Sequence, residues 1–205
     1  MIKKILISFI FIIAFNFQAK ALIEVDITRG NLDPLPIAVS PLFAGEKIND
    51  KIKKELNEED IGEKISQVVE NNLKNSGLFN PLDKNAFLQK PDIAHLKPRF
   101  EDWALIKAQA LITGKVTLNE GKLRVEFRLW DVLAAKEMMA LAFTTVPSNW
   151  RRVGHIITDK VYERLTGEKG YFDTRIIYVS EDGPKTKRIK KLAIMDQDGS
   201  NTKYL

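Results

Sequence analysis

The sequence predicts a mixed α/β domain of the α+β kind, a sheet covered by two main helices, with the start of a second sheet after it. Three observations carry this. Two stretches, 60–77 and 149–166, repeat apolar residues at helical spacing. Between them, Leu123 to Asp131 alternates strictly between apolar and polar residues, the pattern of a strand with one face buried. After the second helix, Ile176-Ile-Tyr-Val179 and a run ending at Ala193-Ile-Met-Asp196 read as a hairpin. Two strands cannot bury a face of their own, so this hairpin belongs to a unit separate from the first domain.

The N-terminus has the layout of a secretory signal. Lys3 and Lys4 precede an apolar run, Ile5 to Phe15, broken only by Ser8, and Ala19-Lys20-Ala21 supplies a small-residue cleavage site. Residues 1–21 are therefore expected to be a signal peptide, too short for a comfortable membrane span. The chain holds 32 Lys+Arg and 27 Asp+Glu, a net charge of +5; the leader takes Lys3, Lys4 and Lys20 with it and no acid, leaving +2. So small a charge gives no case for a nucleic-acid partner. There is no cysteine, so an exported domain must rely on its core rather than on disulfides. No other apolar run approaches bilayer length, and no membrane span is expected after cleavage.

The first domain is placed at 22–170. Ile23 to Thr28 alternates as a strand does. Arg29 to Pro34 is turn-like, and Ile37-Ala-Val-Ser40 is a short apolar strand closed by Pro41. Phe43 to Glu59 mixes Lys and Glu and reads as an exposed loop or short surface helix. Asp60 stands three before Glu63, a capping-box pattern. Ile61, Ile65, Val68, Val69 and Leu73 then form one helical stripe, stopped at Gly77. Leu78 to Leu82 leads into an irregular stretch punctuated by Pro91 and Pro98, with a short helix over Glu101–Ala108 carrying Trp103. A three-stranded meander follows: Ala110–Leu118, a turn at Asn119-Glu-Gly121, Leu123–Asp131, a turn at Ala134-Ala135, and Glu137–Val146. Leu123, Val125, Phe127 and Leu129 are expected in the core, and Arg124, Glu126, Arg128 and Trp130 on the wetter face. The last helix, Asn149 to Thr166, buries Val153, Ile156, Ile157, Val161 and Leu165 and stops at Gly167.

Little chemistry is legible. No nucleophile motif appears, and His95 and His155 lack the spacing of a metal site, so no catalytic, cofactor or metal residues are expected. His155 is placed at the edge of packing. Asp159, Lys160, Glu163 and Arg164 read as a solvated helix face. Asp196-Gln-Asp-Gly199 resembles the start of a calcium loop, but the further acids do not follow, and Asp198-Gly199 is read as a hairpin turn. Lys185 to Lys191 is read as a solvated loop, with contact to anionic envelope surfaces as the alternative. Trp103, Trp130 and Trp150 are too scattered for a stacking platform. A monomer is expected, because no stripe is long enough for a coiled coil.

Several separate blocks resemble one family in the same order. They are Asn72-Leu-Lys-Asn-Ser-Gly-Leu-Phe-Asn-Pro-Leu82, Ile112-Thr-Gly-Lys-Val116, Leu165 through Gly-Tyr-Phe-Asp to Val179, and Leu192-Ala-Ile-Met-Asp-Gln-Asp-Gly-Ser-Asn201. The chain resembles the TolB family of the Tol-Pal envelope system. The resemblance implies a non-enzymatic periplasmic protein with an anticodon-binding-domain-like N-terminal domain and a six-bladed β-propeller, supporting outer-membrane integrity during cell division. It implies no cofactor. Its implied partners are TolA, bound by the extreme N-terminal segment, and the lipoprotein Pal, bound mainly by the propeller. The TolA contact maps onto Leu22, Ile23, Glu24, Val25, Asp26, Ile27 and Thr28. Residues 171–205 would be a partial first blade of an incomplete propeller, which leaves Pal binding open. An inert fragment of such a protein is the competing expectation.

Overall fold

The computed structural model describes Ile23, Val25, residues 33–56, Glu58 and residues 60–205. The expected signal peptide and five of the seven predicted contact residues (Leu22, Glu24, Asp26, Ile27 and Thr28) lie outside the described residues.

Apolar alternation and short connections build a mixed sheet. Strand β1 (Leu35–Val39) runs parallel to two neighbours, β3 (Phe79–Pro81) and β4 (Ala110–Asn119). The two-residue β2 (Phe43–Ala44) pairs with the far part of β4, Phe43 opposite Lys115. From β4 the meander continues antiparallel through β5 (Lys122–Asp131) to β6 (Lys136–Thr145), giving the order β3-β1-β4-β5-β6. Glu120 and Gly121 link β4 to β5 with φ of +51° and +75°. Such primed turns match the right-handed twist of an antiparallel pair. The predicted core residues Leu123, Val125, Phe127 and Leu129 are all at most 1% exposed.

Helices cover one face of this sheet. Helix α1 (Glu46–Leu56) occupies the stretch expected to be loop or surface helix. It is anchored by Ile52, which is fully buried among otherwise exposed lysines and glutamates. Helix α2 (Ile61–Asn75) starts where Asp60 Oδ1 accepts from the Glu63 N–H at 3.2 Å. The Glu63 carboxylate does not complete a capping box; it reaches Lys84 Nζ at 2.5 Å, which also meets Glu70 at 3.0 Å. Helix α5 (Trp150–Thr166) packs on α2. Gly154 permits their close approach: a Cβ there would stand 2.8 Å from Val68 Cγ1.

The other face of the sheet is covered by the Pro-punctuated segment. It contains the one-turn α3 (Pro91–Ala94) and α4 (Phe100–Leu105). Trp103 is 1% exposed and packs with Ala38, Leu111 and Val132 in a second, smaller core. Buried Gln89 organises this segment. Its Oε1 accepts from Trp103 Nε1 at 3.1 Å and from Arg99 N–H at 2.9 Å, while its Nε2 donates to Lys97 O at 2.9 Å. The sequence reading missed β3, because three residues containing Asn and Pro carry no strand signal until β1 is there to pair with them.

A second sheet of three antiparallel strands follows α5: β7 (Arg175–Asp182), β8 (Ile189–Asp196) and β9 (Lys203–Tyr204). Lys185, Lys187 and Arg188 lie in the exposed connection between β7 and β8.

Candidate interaction segment and domain junction

The two described residues of the predicted contact segment touch the domain at separate points. Val25 is buried, and its N–H donates to Leu165 O at the end of α5 at 2.7 Å. The Ile23 N–H donates to Asp131 Oδ2 at 3.3 Å. Asp131 is itself buried, and its Oδ1 accepts from Ala134 N–H in the β5–β6 turn at 2.8 Å. Ile23 and Val25 are thus tied to the sheet and to the last helix through a side-chain and a helix-end acceptor.

Helix α5 has two working faces. Val153, Ile157, Val161 and Leu165 form the apolar one and enter the core. The other carries Arg151, Arg152, His155, Asp159 and Tyr162, and it grips the linker and the β8–β9 turn that follow the helix. Asp159 is not part of a solvated face as expected. Its two oxygens accept from the Phe172 N–H at 2.7 Å and the Asp173 N–H at 3.2 Å. Gly170 lies so close that a Cβ would meet Asp159 Cα at 2.4 Å. Phe172 is fully buried and packs edge-on against Tyr162. Arg152 holds Asp173 with a two-nitrogen fork at 2.9 and 3.0 Å. The linker is therefore fastened to the helix it leaves.

The turn between β8 and β9 docks on the first two turns of α5. Asp196-Gln-Asp-Gly199 is a turn, as the sequence suggested: the Gly199 N–H donates to Asp196 O at 2.9 Å. Its Asp198 was not foreseen as a contact. Asp198 Oδ2 accepts a short hydrogen bond from Arg151 and lies 3.8 Å from His155 Nε2. His155 sits in this junction at 2% exposure, not at the edge of packing. The Asn72 side-chain amide meets its Nδ1 at 2.9 Å and donates to Thr158 Oγ1 at 3.2 Å. Burial pushes the His155 imidazole below the ordinary histidine value, with Asp198 and Asp196 opposing in part. Burial works to raise the Asp198 carboxyl, but the Ser200 N–H and Arg151 outweigh it and hold it below the usual carboxylate value.

His155, Asp196 and Asp198 offer ligand atoms within 4.8 Å of one another. The charges there are nevertheless already matched. Arg151 takes Asp198, Arg175 Nε lies 3.7 Å from Asp196 Oδ1, and Asn201 donates to Asp196 Oδ2 at 2.5 Å. A cation would have to displace a guanidinium, and the donor set reads as an ion-pair network. On the outer sheet face, a cleft of about 400 Å³ is lined by His95, Lys115, Glu126, Arg128 and Ala140 among others. Lys115 lies 3.6 Å from Glu126, and Arg128 lies 3.4 Å from Glu137, so these charges neutralise one another.

The sequence profile of the family described as the TolB amino-terminal domain matches residues 23–138. The chain belongs to the TolB amino-terminal domain family. It is 79% identical over 197 residues to the Tol-Pal system protein TolB of Pelagibacter ubique (strain HTCC1062), covering 96% of this chain and 44% of that protein. The chain thus spans less than half the length of that relative. The crystal structure of TolB from Acinetobacter baumannii superposes with a TM-score of 0.68 at 22% identity, over 89% of this chain and 41% of that one. That likeness shows the fold, the mixed α/β architecture described above. Among the described residues, no helix is long and apolar enough to cross a membrane.

Proposed function

We propose that this chain acts in the Tol-Pal envelope system as a periplasmic partner-binding component, by docking rather than by catalysis. Residues 1–21 direct export and are removed. Leu22 to Thr28 then engages the periplasmic part of TolA by adding a strand to the partner's sheet, in support of outer-membrane integrity during division. The observation that carries this reading is the mode of attachment of the segment. Val25 and Ile23 are bonded to a helix-end carbonyl and a carboxylate, not built into a sheet ladder. Two residues held in this way exchange partners at smaller cost than residues of a central strand do.

The family match supports the system, and the second sheet supports the rest of the assignment. Strands β7 and β8 fit the start of a propeller because they leave apolar side chains exposed on both faces, although Ala193 is buried. Ile177 is 62% exposed and Val179 57% on one side, with Ile176 at 40% on the other. Neighbouring blades would cover such faces. Contact with Pal belongs to that propeller.

Deleting residues 22–28 and titrating the protein with the TolA periplasmic domain by calorimetry tests the assignment. The expected result is loss of binding with the far-ultraviolet circular dichroism unchanged. Removing buried Val25 costs about 1.5–3 kcal/mol of stability, so binding is measured well below the melting midpoint. Undiminished binding by the deletion variant would show that another surface makes the contact.

A further inference from the structure

We infer that the β8–β9 turn and helix α5 form a proton-sensitive clasp, closed when His155 is neutral and released when it is protonated. The inference concerns the junction and does not depend on which partners the protein binds.

Two features of the geometry favour the neutral ring, and a third makes the contact easy to open. First, an amide N–H of Asn72 donates to His155 Nδ1, which must then be an acceptor; the ring proton sits on Nε2, facing Asp198. A second ring proton would go on Nδ1 and oppose that donor, so Asn72 would have to turn over and surrender its bond to Thr158. Second, the ion pairs at the junction balance without a charged imidazole. Arg151 pairs with Asp198, Arg175 with Asp196 and Arg152 with Asp173. A proton on His155 adds an unmatched charge in a place that is almost solvent-free. Third, the junction is under-satisfied even when closed. Asn72 Oδ1, His155 Nε2, Arg151 Nε and Gln197 Oε1 are buried without a hydrogen-bond partner among the described residues. Each such atom costs about 1–3 kcal/mol, so little additional penalty is needed to open the contact.

The groups facing the imidazole are Asn72 and Thr158 from the helices, Arg151 one turn away, Asp196 and Asp198 from the turn, and Asp173 at longer range. When the turn leaves, His155 becomes solvated and its pKa returns toward the ordinary 6.5. Docking therefore favours the neutral ring. It is fully present above that value and is lost as the pH falls below it. The linker stays on α5 through Asp159 and Arg152, which places the hinge between Asp173 and Arg175.

The chain has no cysteine, so a single label pair can be introduced cleanly. Spin labels at Gln67→Cys on the exposed side of α2 and Leu192→Cys on β8 report the separation of the two units by pulsed electron resonance. The expected result is one short distance at about pH 8 and growth of a longer population below about pH 6. His155→Gln, which cannot titrate, abolishes that pH dependence. Asp198→Asn weakens the short population at both pH values. A pH-independent distance in the parent chain, or an unchanged transition in His155→Gln, overturns the proposal. Should His155→Gln fail to fold, the His155 ring proton is titrated by NMR in the parent chain. A midpoint below 6.5 that tracks the distance change supports the clasp, and a midpoint at or above 6.5 overturns it.

Discussion

The interior of the α/β domain and its junction with the second sheet are held by opposite means. The interior is apolar and close-packed: α2 and α5 press Ile65, Val68, Ile157 and Val161 against Val125, Phe127 and Leu129, all at most 3% exposed. The junction is a cluster of arginines, aspartates and one histidine, and it leaves several buried polar atoms without partners. Burial of apolar area is non-directional and adds up with every side chain. An ion-pair network pays desolvation for each charge and is worth little net. The domain should therefore behave as a stable body, and the second sheet as something that can be detached from it.

The largest effect that would sharpen this contrast is a cavity in the core. Phe127→Ala should destabilise the α/β domain by about 3–5 kcal/mol in denaturant unfolding. Arg151→Met should leave the same transition nearly unmoved while exposing the β8–β9 turn to proteolysis. If both variants shift the main transition equally, the two regions form a single cooperative unit and the contrast fails. Gly154→Ala comes next, since its methyl would press on Val68. An overpacking cost of about 1–3 kcal/mol is expected in the same assay.

Gln89→Leu tests whether the second, smaller core depends on its one buried amide. Trp103 Nε1 and the Arg99 N–H would each lose their acceptor, for a loss of about 1–3 kcal/mol. Trp103 fluorescence reports it directly, and an unchanged emission would show that the segment finds other acceptors. Asp159→Ala should cost about 1–3 kcal/mol as well, because it strands the amide of fully buried Phe172 without an acceptor. Its signature is faster hydrogen exchange confined to residues 170–174. The smallest effect belongs to the exposed Arg124–Glu126 pair: Arg124→Ala should change stability by no more than about 0.5 kcal/mol. The Arg124 guanidinium holds the Glu126 carboxyl below its ordinary value. Any contribution of the pair is present above that ordinary value and fades as the pH falls through the lowered one.

Most of the fold was legible because its signals are local. The β4–β5–β6 meander shows in strict alternation and in turn residues at Glu120-Gly121 and Ala135. Helices α2 and α5 show in their apolar stripes, their starts near Asp60 and Asn149, and their stops at Gly77 and Gly167. The core face of α1 was misread: Ile48, Ile52 and Leu56 recur every four residues and pack on the main core, but the lysines and glutamates around them read as a surface. The polar side of α5 was misread as well. Arg151, His155 and Asp159 recur every four residues, so a second stripe was present in the sequence. Charged residues at that spacing are the ordinary composition of a wet surface, and only their partners distinguish the two.

Those partners are remote. Asn72 is 83 residues from His155, and Asp198 is 47 from Arg151. By itself the sequence determined the helices, the meander, the turns, the absence of disulfides and the family, because each rests on neighbours within a few positions or on matching blocks in order. Tertiary structure alone decided that β3 is a strand, that Asp159 binds the linker, and that His155 is buried against Asp198. The worth of a polar side chain is set by what desolvates it and what bonds to it, and neither is fixed until distant parts of the chain have met.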